Sequence, residues 1–536
     1  MQRIGIVLLL AALCACSRVG THTPGTGNSW TIPGVLRIGY PEEPDNLNLM
    51  FGHTLATEEI DCLLFSFILR SDAEGNLFPD LATRVPTQQN GDISRDGKTI
   101  TVHLRHGVKW SDGAPLTAND WLFTYHAVMN PANNTKTDYG WTEIASAQAP
   151  DPYTIVIHLK RPTVEAIEIL TMGGDAYPPL PAHLLANLPD LNHAAFNSAP
   201  ISSGPFILEH WDRGNELTFV ANQLYFRGPP KLKAIDWKII PSPTTLLNAL
   251  RAHQIDLYPQ VSQDALDQLG SIQGIVVKKR LVAYWQHLNL NMNKPALADP
   301  NVRAAIAEGV DWQRIVDTVY HGAGQAAVSD IFPQSWAAPN LPPYRYDPAG
   351  AKRLLAQSGW RMGSDGVLHK GPLALHLSVS ATTDNEINER AELLIQSMLQ
   401  QLGIGVEIHN YPANLLFAQN GPIYTGKYDM EWSQAINGAD PDDSGSWNSA
   451  YIPPHGADTS WLRDPIVDET SKAAAGTFDQ SARKALYQKE AARIRQLNPS
   501  IFAFWLEAYY AYNSDLKNFK PAAFIANSWN AWEWQI

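Results

Sequence analysis

Patterns typical of strands and of helices alternate along most of this chain of 536 residues. Val35–Gly39 alternates apolar and polar positions as a strand does, and residues 55–72 carry apolar side chains at helical spacing. Further helices are predicted at 244–253, 300–319, 348–358, 388–402 and 480–496, with strands between them such as 283–290 and 404–410. Because this length exceeds what one hydrophobic core usually organises, we predict an α/β protein with at least two lobes.

The charge balance argues against nucleic acid as a partner. The chain has 40 Lys and Arg against 53 Asp and Glu, a formal net charge of −13, and its longest basic run is Lys278–Arg280. Nucleic-acid binding needs concentrated positive charge to displace counterions from the phosphates. Hydrophobic residues make up 45% of the chain, so we expect a globular protein that does not bind nucleic acid.

The first sixteen residues have the pattern of an export signal. Arg3 provides one positive charge, and the apolar run Ile4–Leu13 is shorter than the about 20 residues that span a bilayer. The ending Leu-Cys-Ala-Cys resembles a bacterial lipobox and places the lipid on Cys16. We predict a lipoprotein signal peptide at 1–16 and a flexible tether at 17–34. An ordinary signal peptide with incidental cysteines is the alternative.

Sequence motifs of common enzymes and metal sites are missing. The chain has no Gly-x-Ser-x-Gly elbow, no His-Glu-x-x-His and no phosphate-binding loop. Cys62 is the one cysteine left after processing at Cys16, which excludes an intramolecular disulfide and a Cys-rich zinc site. The acidic run Asp440–Asp443 fits a loop better than a calcium site. We predict no enzyme, no metal and no cofactor; paired carboxylates for hydrolysis stay an open alternative, because a sequence gives no distances.

The segment Asp96–Asp120 (DGKTITVHLRHGVKWSDGAPLTAND) is the most specific stretch of the chain. Its Asp112-Gly113 pair predicts a turn, and Thr117 with Asp120 three residues on predicts a capped helix start. The segment resembles the signature of family 5 of the bacterial extracellular solute-binding proteins, the peptide, nickel and oligosaccharide type. Other segments resemble the family in order and spacing, namely Asn76–Ala82, Ser203–Phe206, Asn222–Tyr225, Leu250–Leu257, Leu288–Ile306 and Asp347–Trp360.

This resemblance implies a two-lobed periplasmic-binding-protein clamp of type II, in the large form with an extra subdomain in the N-terminal lobe. Such a clamp closes on its ligand by hinge motion. The implied parts are an N-terminal lobe at 35–280 with the subdomain at about 62–185, a second lobe at 285–500, and a C-terminal segment, 501–536, that returns to the first lobe. The chain would cross between the lobes near Leu281–Tyr284 and near Pro499–Phe504.

The resemblance also implies a function. The protein would capture di- or oligopeptides outside the cytoplasmic membrane and deliver them to the permease and ATPase subunits of an ABC importer. We expect a monomer that contacts the membrane only through its lipid. A non-peptide solute such as an oligosaccharide is one alternative, and a lipid-anchored chaperone or sensor on the same fold is another, since fold does not fix function.

Family members that bind peptides pair the peptide α-amino group with an Asp, commonly within W-x-x-D-x-x-D-P. The matching segment here is Glu431–Asp442, and it has no carboxylate at that position. Counting back from Asp440-Pro441 gives Asn437 in place of the Asp, and counting on from Trp432 gives Ala435. Three explanations stay open: Glu42 or Glu43 meets the amino group, Asp440 reaches inward, or the ligand has no amino group. The ligand-binding candidates are Trp432, Gln434, Asn437, Asp440, Tyr139, Trp141, His53 and Glu43.

Overall fold

A computed structural model of the chain describes residues 27–173, 176–262, 265–383 and 385–536. The predicted signal peptide, the predicted lipidation site Cys16 and most of the predicted tether lie outside the described residues. The strands are β1 (Val35–Tyr40), β2 (Leu69–Ser71), β3 (Leu77–Pro79), β4 (Thr99–His103), β5 (Ile144–Asp151), β6 (Thr154–Leu159), β7 (Phe206–Asp212), β8 (Glu216–Ala221), β9 (Ala234–Ile239), β10 (Leu257–Tyr258), β11 (Ile275–Leu290), β12 (Gly324–Ala326), β13 (Arg361–Met362), β14 (Leu368–Lys370), β15 (Leu373–Ala374), β16 (His376–Ser380), β17 (Gly405–Ile408), β18 (Met430–Ile436) and β19 (Ser500–Asn513). The α-helices are α1 (Leu55–Leu64), α2 (Ala118–Val128), α3 (Glu165–Glu168), α4 (Ala182–Leu185), α5 (Pro243–Arg251), α6 (Leu266–Leu269), α7 (Pro300–Gly309), α8 (Trp312–Val319), α9 (Pro348–Gln357), α10 (Glu386–Gln400), α11 (Ala413–Leu416), α12 (Ser444–Trp447), α13 (Pro465–Ala475) and α14 (Gln480–Leu497).

One mixed sheet passes through both lobes. Its strand order is β17-β16-β18-β11-β19-β10-β1-β9-β8-β7, and β12 pairs with β19 beside this path. β11 and β19 are long antiparallel strands that pair from Ile275 opposite Asn513 to Asn289 opposite Ser500. At one end β19 pairs with β10, and at the other end β11 pairs with β18. These two strands therefore carry the chain between the lobes.

The pairing of β11 with β19 is irregular midway along the two strands. Leu281 lies opposite Glu507, but Trp285 lies opposite Trp505, so the register shifts between these positions. An irregularity of this kind interrupts the ladder and bends the strand locally. The predicted crossing at Leu281–Tyr284 falls in this irregular stretch. The other predicted crossing, Pro499–Phe504, ends one residue before Trp505, where the irregular stretch of β19 begins.

Two large hydrophobic cores support the two lobes. The first core is built from residues between Leu36 and Leu257, together with C-terminal residues between Tyr510 and Trp534. The second core is built from residues between Leu288 and Phe504. The division follows from the topology, because the C-terminal segment after β19 packs back onto the first core. The predicted α/β architecture with two lobes is confirmed.

A separate three-stranded sheet in the first lobe, of order β4-β6-β5, carries the family-like signature. The backbone N–H of Thr117 donates to Asp120 Oδ2 at 2.7 Å and caps α2. Gly113 has a φ of +93° and closes the predicted turn by donating to the carbonyl of Trp110 at 2.9 Å. No residue of the signature lines either of the two cavities described below.

Two predicted helices differ from those of the structure. The helix predicted at 55–72 ends at Leu64, because the chain then becomes extended and enters β2. The helix predicted at 300–319 is two helices, α7 and α8. Asp311 separates them, since its Oδ1 accepts from the backbone N–H of Arg314 at 3.0 Å and caps the start of α8.

Candidate ligand-binding cleft

A cavity of about 740 Å³ lies between the two lobes. Its size falls within the usual range of small-molecule sites. We call it the interlobe cleft. The first lobe contributes Ser71, Leu77, Ile93, Tyr139, Glu168 and Met172 among others, the second contributes Trp336, Gly438, Asp440, Asp442, Phe478 and Arg483, and the C-terminal segment contributes Phe524 and Ile525.

Asp440 lies at the cleft but is already paired. Arg483 on α14 donates from Nη1 to Asp440 Oδ2 at 2.8 Å and from Nη2 to Oδ1 at 2.5 Å. Arg483 Nη2 also donates to the hydroxyl of Tyr487 at 2.7 Å. Burial alone would lower the pKa of Arg483, but the Asp440 carboxylate outweighs it and the pKa is raised. The negative charge of Asp440 is therefore neutralised within the protein.

Glu168 brings an unpaired carboxyl group to the cleft from the first lobe. It ends the short helix α3, which begins at Glu165. Burial, followed by the negative charges of Asp440 and Asp442, raises the pKa of Glu168 well above its ordinary value. No described residue makes a hydrogen bond or an ion pair with this carboxyl group. Glu168 can therefore accept a donor from a ligand.

Tyr139 and Asp442 complete the polar lining around Glu168. The hydroxyl of Tyr139 donates to Glu165 Oε1 at 2.9 Å, which orients the ring over α3. Asp442 Oδ2 is buried without a hydrogen-bond partner, and burial, then the charge of Asp440, raises the pKa of Asp442. Among the described residues that line the cleft, Arg483 is the one basic side chain. Acidic groups thus exceed basic ones, which favours a ligand that carries positive charge.

Two predicted tryptophans lie in hydrophobic cores. Trp432 has no exposed surface and stacks on Trp312, with ring centroids 6.1 Å apart. Trp141 is equally buried and stacks between Trp121 and Tyr177. Neither residue lines the interlobe cleft or the smaller cavity described below. The structure places both candidates away from the cleft, because their large apolar rings are used for packing within the lobes.

Asn437 makes hydrogen bonds to β11, one of the two strands that connect the lobes, and to Asp330. Its Oδ1 accepts from Trp285 Nε1 at 3.2 Å, and its Nδ2 donates to the carbonyl of Asp330 at 2.8 Å. Its backbone N–H donates to the carbonyl of Ala283, in the irregular part of β11. Both side-chain groups are thus used within the protein. Asn437 is next to the cleft-lining Gly438 but does not line the cleft itself.

The two candidates nearest the N-terminus are engaged elsewhere in the first lobe. Glu43 Oε1 accepts from Trp211 Nε1 at 3.1 Å and from the backbone N–H of Gly214 at 3.0 Å. His53 is exposed, and its backbone N–H donates to Asp45. The neighbouring carboxylate of Glu42 accepts from the backbone N–H of Ala56 at the start of α1. The interlobe cleft is lined by none of these four residues, Glu42, Glu43, Asp45 and His53.

Gln434 lines a second cavity, of about 210 Å³, inside the second lobe. Its Oε1 accepts from Gln286 Nε2 at 3.3 Å. We call this space the Glu431 cavity, after the acid of β18 that lines it. The other lining residues are Trp285, His287, Asn289, Phe417, Ile423, Tyr424, Ser433, Ala435, Ser446, Trp447, Ala457, Thr459 and Ser460. No residue lines both cavities.

Buried acids lie behind the loop that follows β18. Asp330, Asp443 and Glu490 are each less than one-tenth exposed. Burial, followed by the charges of its acidic neighbours, raises the pKa of Asp443 and of Glu490 well above their ordinary values. Within the described ranges, no group of three or more His, Cys, Asp or Glu residues is placed to hold a metal ion. No helix in the described part of the chain is long and apolar enough to cross a bilayer.

The residues that sequence reasoning missed are Glu168, Asp442 and Arg483. Asp442 stood within the predicted segment and could have been included. Glu168 follows a Pro-containing loop on a four-residue helix, and Arg483 is 43 residues from its partner. A single sequence contains no signal that brings these two side chains to the same cleft.

Comparison with known proteins identifies the family. The pattern of bacterial extracellular solute-binding proteins, family 5 (middle part), matches residues 76–457. The chain is similar to the oligopeptide-binding protein AppA of Bacillus subtilis strain 168, at 25% identity over 97% of this chain and 96% of that protein. The solved structure of AppA with a nonapeptide aligns with a TM-score of 0.75 at 25% identity, covering 94% of this chain and 99% of that one. The structure of NikZ from Campylobacter jejuni with Ni(L-His) aligns with a TM-score of 0.76 at 26% identity, covering 94% and 100%. The predicted two-lobed clamp is confirmed, and the chain belongs to family 5 of the bacterial extracellular solute-binding proteins.

Proposed function

We propose that the protein captures peptides with a free amino terminus in the interlobe cleft and delivers them to an ABC importer. The family consists of solute-binding proteins, and its member AppA was solved with a nonapeptide. The observation that carries the choice of ligand is the unpaired carboxyl group of Glu168 at the cleft. An ammonium group would supply the donor and the charge that this carboxyl group lacks.

The assignment of the amino group differs from the family pattern. Asp440 lies in the loop where peptide-binding family members have the Asp that pairs with the amino group. Its charge is already balanced by Arg483. Glu168 faces the same cavity from the other lobe, and Asp442 adds a buried oxygen without a partner. An ammonium group between these acids would bridge the lobes. Closure of the clamp would then depend on the charge of the ligand.

An uncharged oligosaccharide has less support than a peptide. The amide of Asn437 would be suited to sugar hydroxyls, but Trp285 and Asp330 already use both of its polar groups. Trp432, the candidate for stacking on a sugar ring, is fully buried. Sugar hydroxyls can donate to the acids of the cleft, but a neutral sugar does not balance their charge. A charged ligand accounts for more of the lining.

Native mass spectrometry of freshly purified protein, followed by calorimetric titration, tests the proposal. We expect retained or added peptides to bind, and N-acetylated copies of the same peptides to bind about tenfold more weakly or worse, because acetylation removes a charge-assisted hydrogen bond. A retained oligosaccharide or metal chelate, with no binding across a varied peptide set, would overturn it.

The cellular setting completes the proposal. The protein acts outside the cytoplasmic membrane, held by a lipid on Cys16, and passes its ligand as a monomer to permease and ATPase subunits. Its lobes extend over about 35–280 and 285–500, and the segment 501–536 closes the first lobe. Support comes from the lipobox-like sequence, from the family, and from the paired strands β11 and β19 that join the lobes.

A further inference from the structure

The Glu431 cavity contains an acid with one oxygen that lacks a partner. Glu431 is 3% exposed, and its Oε1 makes no hydrogen bond to any described residue. Burial raises the pKa of Glu431 to about 7, although side-chain hydrogen bonds with Ser433 and Asn289 oppose the shift. A buried acceptor without a donor costs free energy that folding has to offset elsewhere. The acid lies on β18, whose backbone pairs with Asn289 of β11. Its position is therefore fixed by the sheet.

The polar groups beside Glu431 are neutral. His287 Nε2 is 3.0 Å from Ser433 Oγ, and its Nδ1 is 3.0 Å from Ser500 Oγ. Burial lowers the pKa of His287 to about 3, so the ring carries no charge near neutral pH. Asn289 Nδ2 donates to Thr459 Oγ1 at 3.0 Å. No described Lys or Arg lines the cavity, so nothing in it balances an ionised Glu431.

The walls and the opening of this cavity suit an extended side chain. Trp285 and Trp447 are buried aromatic walls, and aromatic faces attract cations as well as alkyl groups. Phe417, which also lines the cavity, is 42% exposed, so the lining reaches the protein surface at this residue. Ala435 lines this cavity and Gly438 lines the interlobe cleft, so at most about 10 Å of chain separates the two spaces.

We propose that the Glu431 cavity is a subsite for a basic group of the bound solute, an ammonium or a guanidinium, with Glu431 as its counter-ion. The inference rests on the proposed capture of peptides in the neighbouring cleft. The solute class then narrows to peptides with a Lys-like or Arg-like side chain. The cleft holds the amino terminus, and the Glu431 cavity selects the side chain.

Titration with matched tripeptides tests the subsite. Ala-Arg-Ala and Ala-citrulline-Ala differ in one charge and share their shape. We expect the wild type to prefer the Arg peptide by about tenfold or more, since a charge-assisted hydrogen bond is at stake. Glu431→Gln should remove this preference and leave tri-alanine binding unchanged. Glu407→Gln is the control, because Glu407 is an exposed acid of the same sheet. Equal binding of both peptides by the wild type, or an equal loss for all three in Glu431→Gln, overturns the proposal.

Fragment binding separates this proposal from that of the cleft. n-Butylguanidinium and its neutral analogue n-butylurea are added at millimolar concentration and followed by ligand-observed NMR, with soaked crystals to locate them. Preferential binding of the cation beside Glu431 supports the subsite even if no peptide binds the protein. A cavity that holds water only, or takes both fragments equally, contradicts it. Ala435→Leu, which narrows the cavity and keeps Glu431, should block the cation if Glu431→Gln does not fold.

Discussion

Arg483 donates two hydrogen bonds to the carboxylate of Asp440, 2.8 Å and 2.5 Å long, in the lining of the interlobe cleft. The side chain of Arg483 is 8% exposed and that of Asp440 is 23% exposed. A pair this sheltered is a structural element, because either partner left alone would carry a poorly solvated charge. Because of this pair, the acid in the expected loop already has a counter-ion within the protein.

Asp440→Asn should therefore act mainly on stability. Arg483 would lose its counter-ion, and we expect the free energy of unfolding to fall by about 1.5–3 kcal/mol. Urea unfolding of Asp440→Asn, Arg483→Gln and the double variant measures this, and the two losses should not add, because they remove one interaction. Unchanged stability, combined with a lost preference for free over acetylated peptides, would instead make Asp440 the amino-binding acid.

The fold was more accessible from the sequence than the site. Local patterns suffice for a capped helix such as α2, where Thr117 and Asp120 are three residues apart. The family resemblance supplied the two lobes. The break between α7 and α8 was missed, because apolar spacing continues across Val310-Asp311 while the Asp side chain caps a new helix.

The site depends on pairings between distant residues, which one sequence does not contain. Asn437 lies next to the cleft-lining Gly438, but its partners Trp285 and Asp330 are 152 and 107 residues away. Trp141 and Trp432 were predicted to contact ligand but lie in hydrophobic cores. The physical reason is that a large aromatic ring fills a core as readily as it lines a binding site. Only the fold decides between these uses.

Trp432→Leu tests its placement in the core. Losing the stack on Trp312 should lower the free energy of unfolding by on the order of 2 kcal/mol. The affinity for peptides should hardly change in the folded variant. Trp336→Leu is the contrasting variant, because Trp336 is half-buried and lines the cleft. It should weaken binding and cost less stability, and the opposite ranking in thermal and calorimetric measurements would contradict the assignment.

Glu392 predicts a dependence of stability on pH. This acid of α10 has no exposed surface; Oε2 accepts from Asn410 Nδ2 at 2.7 Å and Oε1 has no partner. Burial raises the pKa of Glu392 to about 7 from its ordinary 4.5, although the Asn410 hydrogen bond opposes the shift. Between these two values the folded state binds more protons than the unfolded state. Its contribution to stability is thus complete below about pH 4.5 and is lost as pH rises through 7.

In Glu392→Gln the side chain is neutral at every pH, so the variant should not lose this contribution to stability as pH rises. The difference in unfolding free energy, variant minus wild type, should rise by up to about 3 kcal/mol between pH 5 and pH 8. Denaturant unfolding at pH 5, 6.5 and 8 measures it, with the exposed Glu469→Gln as the control. A difference that is constant over this range would mean that Glu392 is ionised in the folded protein.

We predict that Cys16 anchors the protein to the membrane through a lipid. Metabolic labelling with a fatty-acid analogue should mark the wild type, because a lipobox cysteine receives the lipid. Cys16→Ala should lose the label and move into the soluble fraction, since the apolar run Ile4–Leu13 is too short to hold the protein in a bilayer. Cys14→Ala is the matched control. A labelled, membrane-bound Cys16→Ala protein would refute the lipobox interpretation.

Glu168→Gln tests the choice of amino-group partner. The variant keeps the shape of the side chain and removes its charge, so free peptides should bind about tenfold more weakly or worse, while acetylated peptides bind as they do to the wild type. Glu209→Gln, an exposed acid on β7 of the same lobe, should change neither. Burial and the charges of Asp440 and Asp442 raise the pKa of Glu168, so binding of an ammonium group beside it should favour release of a proton from this carboxyl group. Wild-type affinity for free peptides should therefore increase with pH, up to the range in which the peptide amine itself loses its proton, and calorimetry in buffers of different ionisation enthalpy should detect proton release. Glu168→Gln should lose this component of the pH dependence. Equal loss of free and acetylated peptides, with proton release unchanged, would assign the amino group to another acid.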